Sequence, residues 1–158
     1  MTVKNRILLY SIIFLSSLIT SCEKERFQTA SQTDYDKELL AEVNAHRLSV
    51  GLAPLVHNDF LWQIANEHTE NMANGDVAFG HDGLTQRSDR IRNQLGLGEM
   101  AENVATGEGI ATVVVKSWLA SVGHKINIEE NYTMTGLSAV ETENGLYYYT
   151  QIFFKTNP

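Results

Sequence analysis

The chain has 158 residues, with 12 Lys+Arg against 19 Asp+Glu for a formal charge of −7, and 43% of its residues are hydrophobic. That length suits one domain with its own core, and an acidic chain with no Lys/Arg cluster is a poor partner for nucleic acid or an anionic membrane surface. Cys22 is the single cysteine, so no internal disulfide forms and packing alone must hold the fold.

Lys4 and Arg6 open the chain, a mostly apolar stretch runs from Ile7 to Thr20, and Ser21-Cys22 follow. A charged start, a short apolar run and a small residue before the cut describe a secretory signal. The run falls short of the ~20 residues of a membrane span. The alternative is an uncut N-terminal anchor, and Cys22 separates the two. "LITSC" resembles a bacterial lipobox, which makes Cys22 the lipidated first residue and an anchor rather than a span. Residues 1–21 are read as a lipoprotein signal peptide. Residues 22–34 are read as a flexible tether, because "EKERFQTASQTD" is polar and has no apolar period. Residues 35–158 form the domain.

Leu39, Leu40, Val43 and Leu48 mark a first helix with a stop at Gly51. Asn58 or Asp59 caps a second, whose apolar face is Leu61, Ile64, Ala65, His68 and Met72 and which Gly75 ends. A short helix is expected from Thr85 to Asn93, and an extended piece around Glu102 to Ala105. Val114, Trp118 and Val122 share one helical stripe, which predicts a helix ending at Gly123. The stretch from Tyr132 to Phe154 reads as a hairpin around the two-residue turn Asn144-Gly145. Helices followed by a closing hairpin predict an α+β layered domain.

Five histidines are present. His46 and His57 have no evident partner and default to solvated or capping roles. His68, on the apolar stripe of the second helix, reads as a satisfied core histidine. His81 and His124 each follow a glycine at an expected element boundary, where side chains reach into clefts. Glu102 lies among small and apolar residues, so it needs a charge partner or hydrogen bonds, which a histidine or a metal would supply. His81, Glu102 and His124 make a usable divalent-metal set, although their long spacing carries no local metal signature. No Gly-x-Ser-x-Gly elbow or phosphate-cradling glycine loop is present. Trp62, Trp118 and Tyr147-Tyr148-Tyr149 read as core and sheet surface.

"VNAHRLSVGLAPL", "LWQIANEHTENMA", "FGHDG", "RI", "AENVATG", "SWLASVGHKINI", "TGLSAV" and "YYYTQIFF" resemble, in that order, the SCP-like extracellular domain of the CAP superfamily (cysteine-rich secretory proteins, antigen 5 and pathogenesis-related 1 proteins), in particular its bacterial branch without disulfides. The resemblance covers about Asp36 to Phe154. It implies a three-layer α-β-α sandwich with a central antiparallel sheet. It also implies a cleft that, in many members, two histidines and two acidic residues line and a divalent cation such as zinc can occupy. His81 matches the first histidine and Glu102 the glutamate of the Gly-Glu-Asn motif. Tyr148 stands where the second histidine would be, the second glutamate has no match, and His124 belongs to a bacterial Ser-x-Gly-His-x-x-Asn-Ile pattern.

Three functions follow from the resemblance. The first is a non-catalytic, lipid-anchored binding module of the bacterial cell envelope, periplasmic or surface-facing, whose cleft of His81, Glu102, His124 and Tyr148 takes a small molecule, a lipid or a divalent cation. The second is a protease-like hydrolase using the same cleft, and the third is a structural domain. A monomer without a nucleic-acid partner is expected.

Overall fold

The computed structural model describes residues 31–157; the expected signal peptide, Cys22 and most of the expected tether lie outside them. Helix α1 (Asp34–Ser49) opens on a capping box, in which Thr33 and Asp36 bond each other's backbone N–H. A two-residue strand β1 (Val56–His57) leads to α2 (Asp59–Asn74), capped by the Asn58 side chain on the Leu61 N–H. Then come α3 (Leu84–Leu95), β2 (Gly98–Gly107), α4 (Ala111–Ala120), α5 (Val122–Glu129), β3 (Met134–Glu141) and β4 (Tyr147–Thr156).

The four strands are ordered β1-β3-β4-β2. β2, β4 and β3 pair antiparallel, while β1 adds a short parallel pair to β3, so the sheet is mixed. Alternation sends Glu102, Ile152 and Gly136, which face one another in register, to one face and Asn103, Gln151 and Leu137 to the other. On the first face α2 and α3 bury Leu61, Ile64, Ala65 and Ile91 against Ile152 and Phe154. On the second, α1, α4 and α5 bury Leu39, Val43, Val114, Trp118 and Ile128 against Leu137, Tyr149 and Phe153. The result is a three-layer α-β-α sandwich. α2 lies directly on β3 because Gly136 has no side chain: a Cβ there would meet the Leu61 carbonyl carbon and the Trp62 nitrogen at 2.1 Å.

Two buried polar side chains fasten the layers. Asp36 accepts from Trp62 Nε1 at 3.0 Å and from the Ala139 N–H at 2.9 Å, tying α1 to α2 and β3. Arg47, 2% exposed, donates to the carbonyls of Ala53, Ile128, Glu130 and Tyr132 and so fixes the end of α5. Burial pulls its guanidinium below the usual range.

Several expectations need correction. Leu48 is 61% exposed, because the buried stripe of α1 is Leu39, Val43 and Arg47 instead. The helix expected to end at Gly123 breaks at Ser121, whose backbone is extended, and α5 starts at Val122. The second Gly-His pair is therefore inside the first turn of a helix and not at a corner. The hairpin loop is Glu143-Asn144-Gly145, closed by the Gly145 N–H on the Thr142 carbonyl at 2.9 Å. Asn144 keeps a negative φ, which excludes the two-residue primed turn.

Candidate functional site

Glu102 points from the middle of β2 toward α2 and α3, and its side chain is fully shielded from solvent. Arg87 of α3 grips it with a two-pronged fork, Nε to Oε2 at 2.8 Å and Nη2 to Oε1 at 2.7 Å. His81, on the loop between α2 and α3, holds Oε1 through Nδ1 at 2.9 Å. His68 of α2 lies 4.0 Å from Oε1, with Nε2 against the Gly80 carbonyl at 2.9 Å. The carbonyl can only accept, so His68 Nε2–H donates there, and the loop is pinned to α2 one residue before His81. Burial, as the largest cause, holds the His68 imidazole below its usual range.

The loop displays what it fixes. The His81 side chain is 47% exposed although its Nδ1 edge is on a buried carboxylate. Phe79 is 51% exposed, and its ring centre lies 6.2 Å from that of Tyr148. Beyond Tyr148 a groove of about 570 Å³ is lined by Val140, Leu146, Glu141 and Glu143 at the hairpin tip. On the other side, a cavity of about 230 Å³ between α2 and α3 is lined by His68, Arg87, Ile64 and Val77. His81 lines neither of these two spaces.

The four expected site residues are distributed as follows. His81 and Glu102 are in contact. Tyr148 shares the sheet face of Glu102 but stands opposite Thr106, four residues along, which is ~13 Å at ~3.3 Å per residue. It joins the site only through Phe79. His124 sits on α5, in the layer beyond the other face. Its backbone carbonyl accepts from Asn103 Nδ2 at 3.1 Å. Burial first, and His81 second, lower the His124 imidazole.

His81, Glu102 and His124 are therefore not gathered around a common point, and among the described residues no group of three His, Cys, Asp or Glu side chains is placed to hold a metal ion. The residues do not fit a resident divalent cation, since both oxygens of Glu102 already face a guanidinium. His46 and His57 do have partners, Glu129 at 2.8 Å and Asp59 at 3.0 Å.

Arg87 is the residue that sequence reasoning missed. It lies one helical turn before Ile91, the other buried residue of α3. That shared stripe was its only signal.

The free edge of β2 is sealed by the "SWLASVGHKINI" stretch. Asn127 Nδ2 reaches the Glu102 carbonyl at 3.4 Å and Asn103 Oδ1 at 2.8 Å, and Trp118 Nε1 reaches the Val104 carbonyl at 3.3 Å. These contacts cover the middle of the edge, at the Glu102 and Val104 carbonyls.

Comparison with known proteins agrees with this architecture. YkwD of Bacillus subtilis is 31% identical over 117 residues, 72% of this chain and 45% of that protein, so the chain spans less than half the length of that relative. Two solved structures share the fold. One is an outer surface protein of Borrelia burgdorferi (TM-score 0.67, 23% identity, 80% of this chain and 96% of that one). The other is an extracellular SCP-domain protein of Bacillus anthracis (TM-score 0.66, 24% identity, 77% and 40%). The model of the cysteine-rich secretory protein (CAP) family matches residues 40–153, across all three layers and every residue of the Glu102 cluster, and the chain belongs to that family.

Proposed function

We propose that this chain is an exported, lipid-anchored binding module without catalytic activity, and that the Phe79-Gly80-His81 loop is its recognition surface. The observation that carries this reading is rigid display: an exposed aromatic ring and an exposed imidazole sit two residues apart on a loop fastened at Gly80 to His68 and at His81 to Glu102. A surface ordered before binding loses little entropy when a ligand arrives. Tyr148 extends the surface toward the hairpin groove. The ligand is a small or lipid molecule that packs on Phe79 and Tyr148 and bonds to His81. Export is supported by the extracellular relative from Bacillus anthracis and by the signal-like N-terminus. Among the described residues no helix is long and apolar enough to cross a membrane.

The carboxylate-held imidazole is the feature that favours a hydrolase. Against it, among the described residues no hydroxyl is hydrogen-bonded to an imidazole, so no activated nucleophile is formed. Monolauroylglycerol tests both readings, because it offers an apolar chain, two hydroxyls and one ester. The binding reading expects saturable NMR shifts at Phe79, His81 and Tyr148 that are lost in Phe79→Ala and His81→Ala. Release of laurate, lost in His81→Ala, makes the protein a hydrolase. Unmoved resonances at millimolar probe remove this surface as the site for such ligands.

A further inference from the structure

The Glu102 carboxylate takes three donors, two of them from one guanidinium that reaches both of its oxygens. A divalent cation using this carboxylate would sit within a few ångströms of a guanidinium cation that already spans both oxygens, and the two positive charges would repel. The guanidinium is built into the fold. Its Nη1 donates to the Asp82 carbonyl at 2.7 Å. Gly83 has a φ of +79°, and a Cβ there would come 3.2 Å from Nη1. The "FGHDG" stretch therefore makes a cradle for Arg87 and delivers His81 to the same carboxylate.

We propose that Arg87 is the resident cation of this site: it closes Glu102 to divalent metals and leaves His81 Nε2 as a neutral lone pair that accepts an O–H or N–H from the ligand. An ionised carboxylate only accepts, so Nδ1 of His81 carries the proton it shares with Oε1. The tautomer of the neutral ring is then fixed by the partner of its other nitrogen, and the lone pair falls on Nε2. The groups around His81 are Glu102 on β2, Arg87 on α3, His68 on α2, His124 on α5 and its neighbour Asp82. The ligand class that fits a bare Nε2 is a hydroxyl or amide donor, while a metal ion seeking Glu102 meets a guanidinium. Arg87 acts through His81 and is a positioning residue.

This inference rests on the Phe79–His81 loop being the binding surface, but its test needs no ligand and so fails or succeeds separately. Long-range proton–nitrogen NMR of the histidine-labelled protein at about pH 8, above the usual imidazole range, should show His81 protonated at Nδ1 and bare at Nε2. Zinc chloride at roughly ten-fold excess should leave the wild-type melting temperature unchanged, whereas a bound ion would raise it by mass action. Arg87→Met should gain a zinc-dependent rise of several degrees, absent from Arg87→Met/Glu102→Gln, and Arg87→Lys should stay blind to zinc. A His81 proton on Nε2 overturns the proposal. So does a wild-type zinc response that Glu102→Gln abolishes, or a folded Arg87→Met that ignores zinc. If Arg87→Met does not fold, the wild-type tautomer and zinc response decide alone.

Discussion

Glu102→Gln isolates the charge of the cluster from its shape. Glutamine keeps the length of the side chain and one acceptor oxygen, but it leaves the Arg87 guanidinium, 9% exposed, with no anion. Breaking a buried pair by removing one partner costs about 3–5 kcal/mol, because a charge is left uncompensated. Arg87 keeps the Asp82 carbonyl at 2.7 Å and the remaining amide oxygen, which places the expected loss near ~3 kcal/mol, the low end of that range. For a domain of this size such a loss lowers the melting temperature by roughly 12 °C. Arg87→Met alone should cost as much or more, since it strands a carboxylate. The double variant Arg87→Met/Glu102→Gln leaves no buried charge and should lose less than the two singles together, with a coupling of about 1.5 kcal/mol or more. Urea unfolding monitored by tryptophan fluorescence measures all four proteins, and unchanged m-values confirm that the same surface is exposed in each. Single losses under about 1 kcal/mol, or a double loss equal to their sum, would refute the argument that this pair is held at low dielectric.

Acid sensitivity should come from histidines before carboxylates. Folding depresses the His68 and His124 imidazoles, with burial the first cause, so the unfolded chain takes up protons that the folded one does not. Their contribution is present above the unfolded value of about 6.5 and is eroded as pH falls through it, by up to about 1.4 kcal/mol per pH unit for the buried His68 and by less for the solvent-screened His124. Urea midpoints between about pH 8 and 5 should show this loss, and His68→Gln should flatten it; an unflattened slope removes His68 as the source. At the N-terminus, Cys22→Ser should shift the protein from the membrane fraction to the soluble or secreted one. A variant retained in the membrane as fully as wild type would identify an uncut anchor.

What could be read before the fold was known had local causes. A cap on α2 at Asn58 or Asp59, of which Asn58 is the one used, Gly75 ending it, and the stripe of Leu61, Ile64 and Met72 are properties of neighbours in sequence. The expectation that Glu102 needs a partner came from its own flanks, and His81 is such a partner. Arg87 escaped because an arginine on a helix defaults to solvent. Its burial depends on Glu102, 15 residues away, and on the missing side chain of Gly83. The hairpin went astray because Asn144-Gly145 favours a two-residue turn in isolation, whereas Thr142 bonds Leu146 through both backbone and side chain and fixes a three-residue loop. The break at Ser121 had no local sign, since Val114, Trp118 and Val122 do fall on one helical stripe. Val122 is nevertheless exposed, because α5 turns to lay Ile128 into the core.

That break explains why the two Gly-His pairs do not form one ligand set. Glu102 and Asn103 are adjacent on an edge strand, so their side chains leave the sheet on opposite faces. Glu102 collects Arg87 and His81 on the α2/α3 side. Asn103 collects Asn127 and the His124 backbone on the α5 side. The Glu102 carbonyl, at the edge between them, takes Asn127 as well. Both histidines are thus placed by a single dipeptide, one through its side chain and the other through its main chain. A substitution at His81 releases an exposed ring and leaves the Arg87–Glu102 pair intact, while one at Asn103 or Asn127 uncovers a strand edge. Loss of binding with the fold preserved is therefore expected at His81 and Phe79, whereas Asn103 and Asn127 should report on stability first.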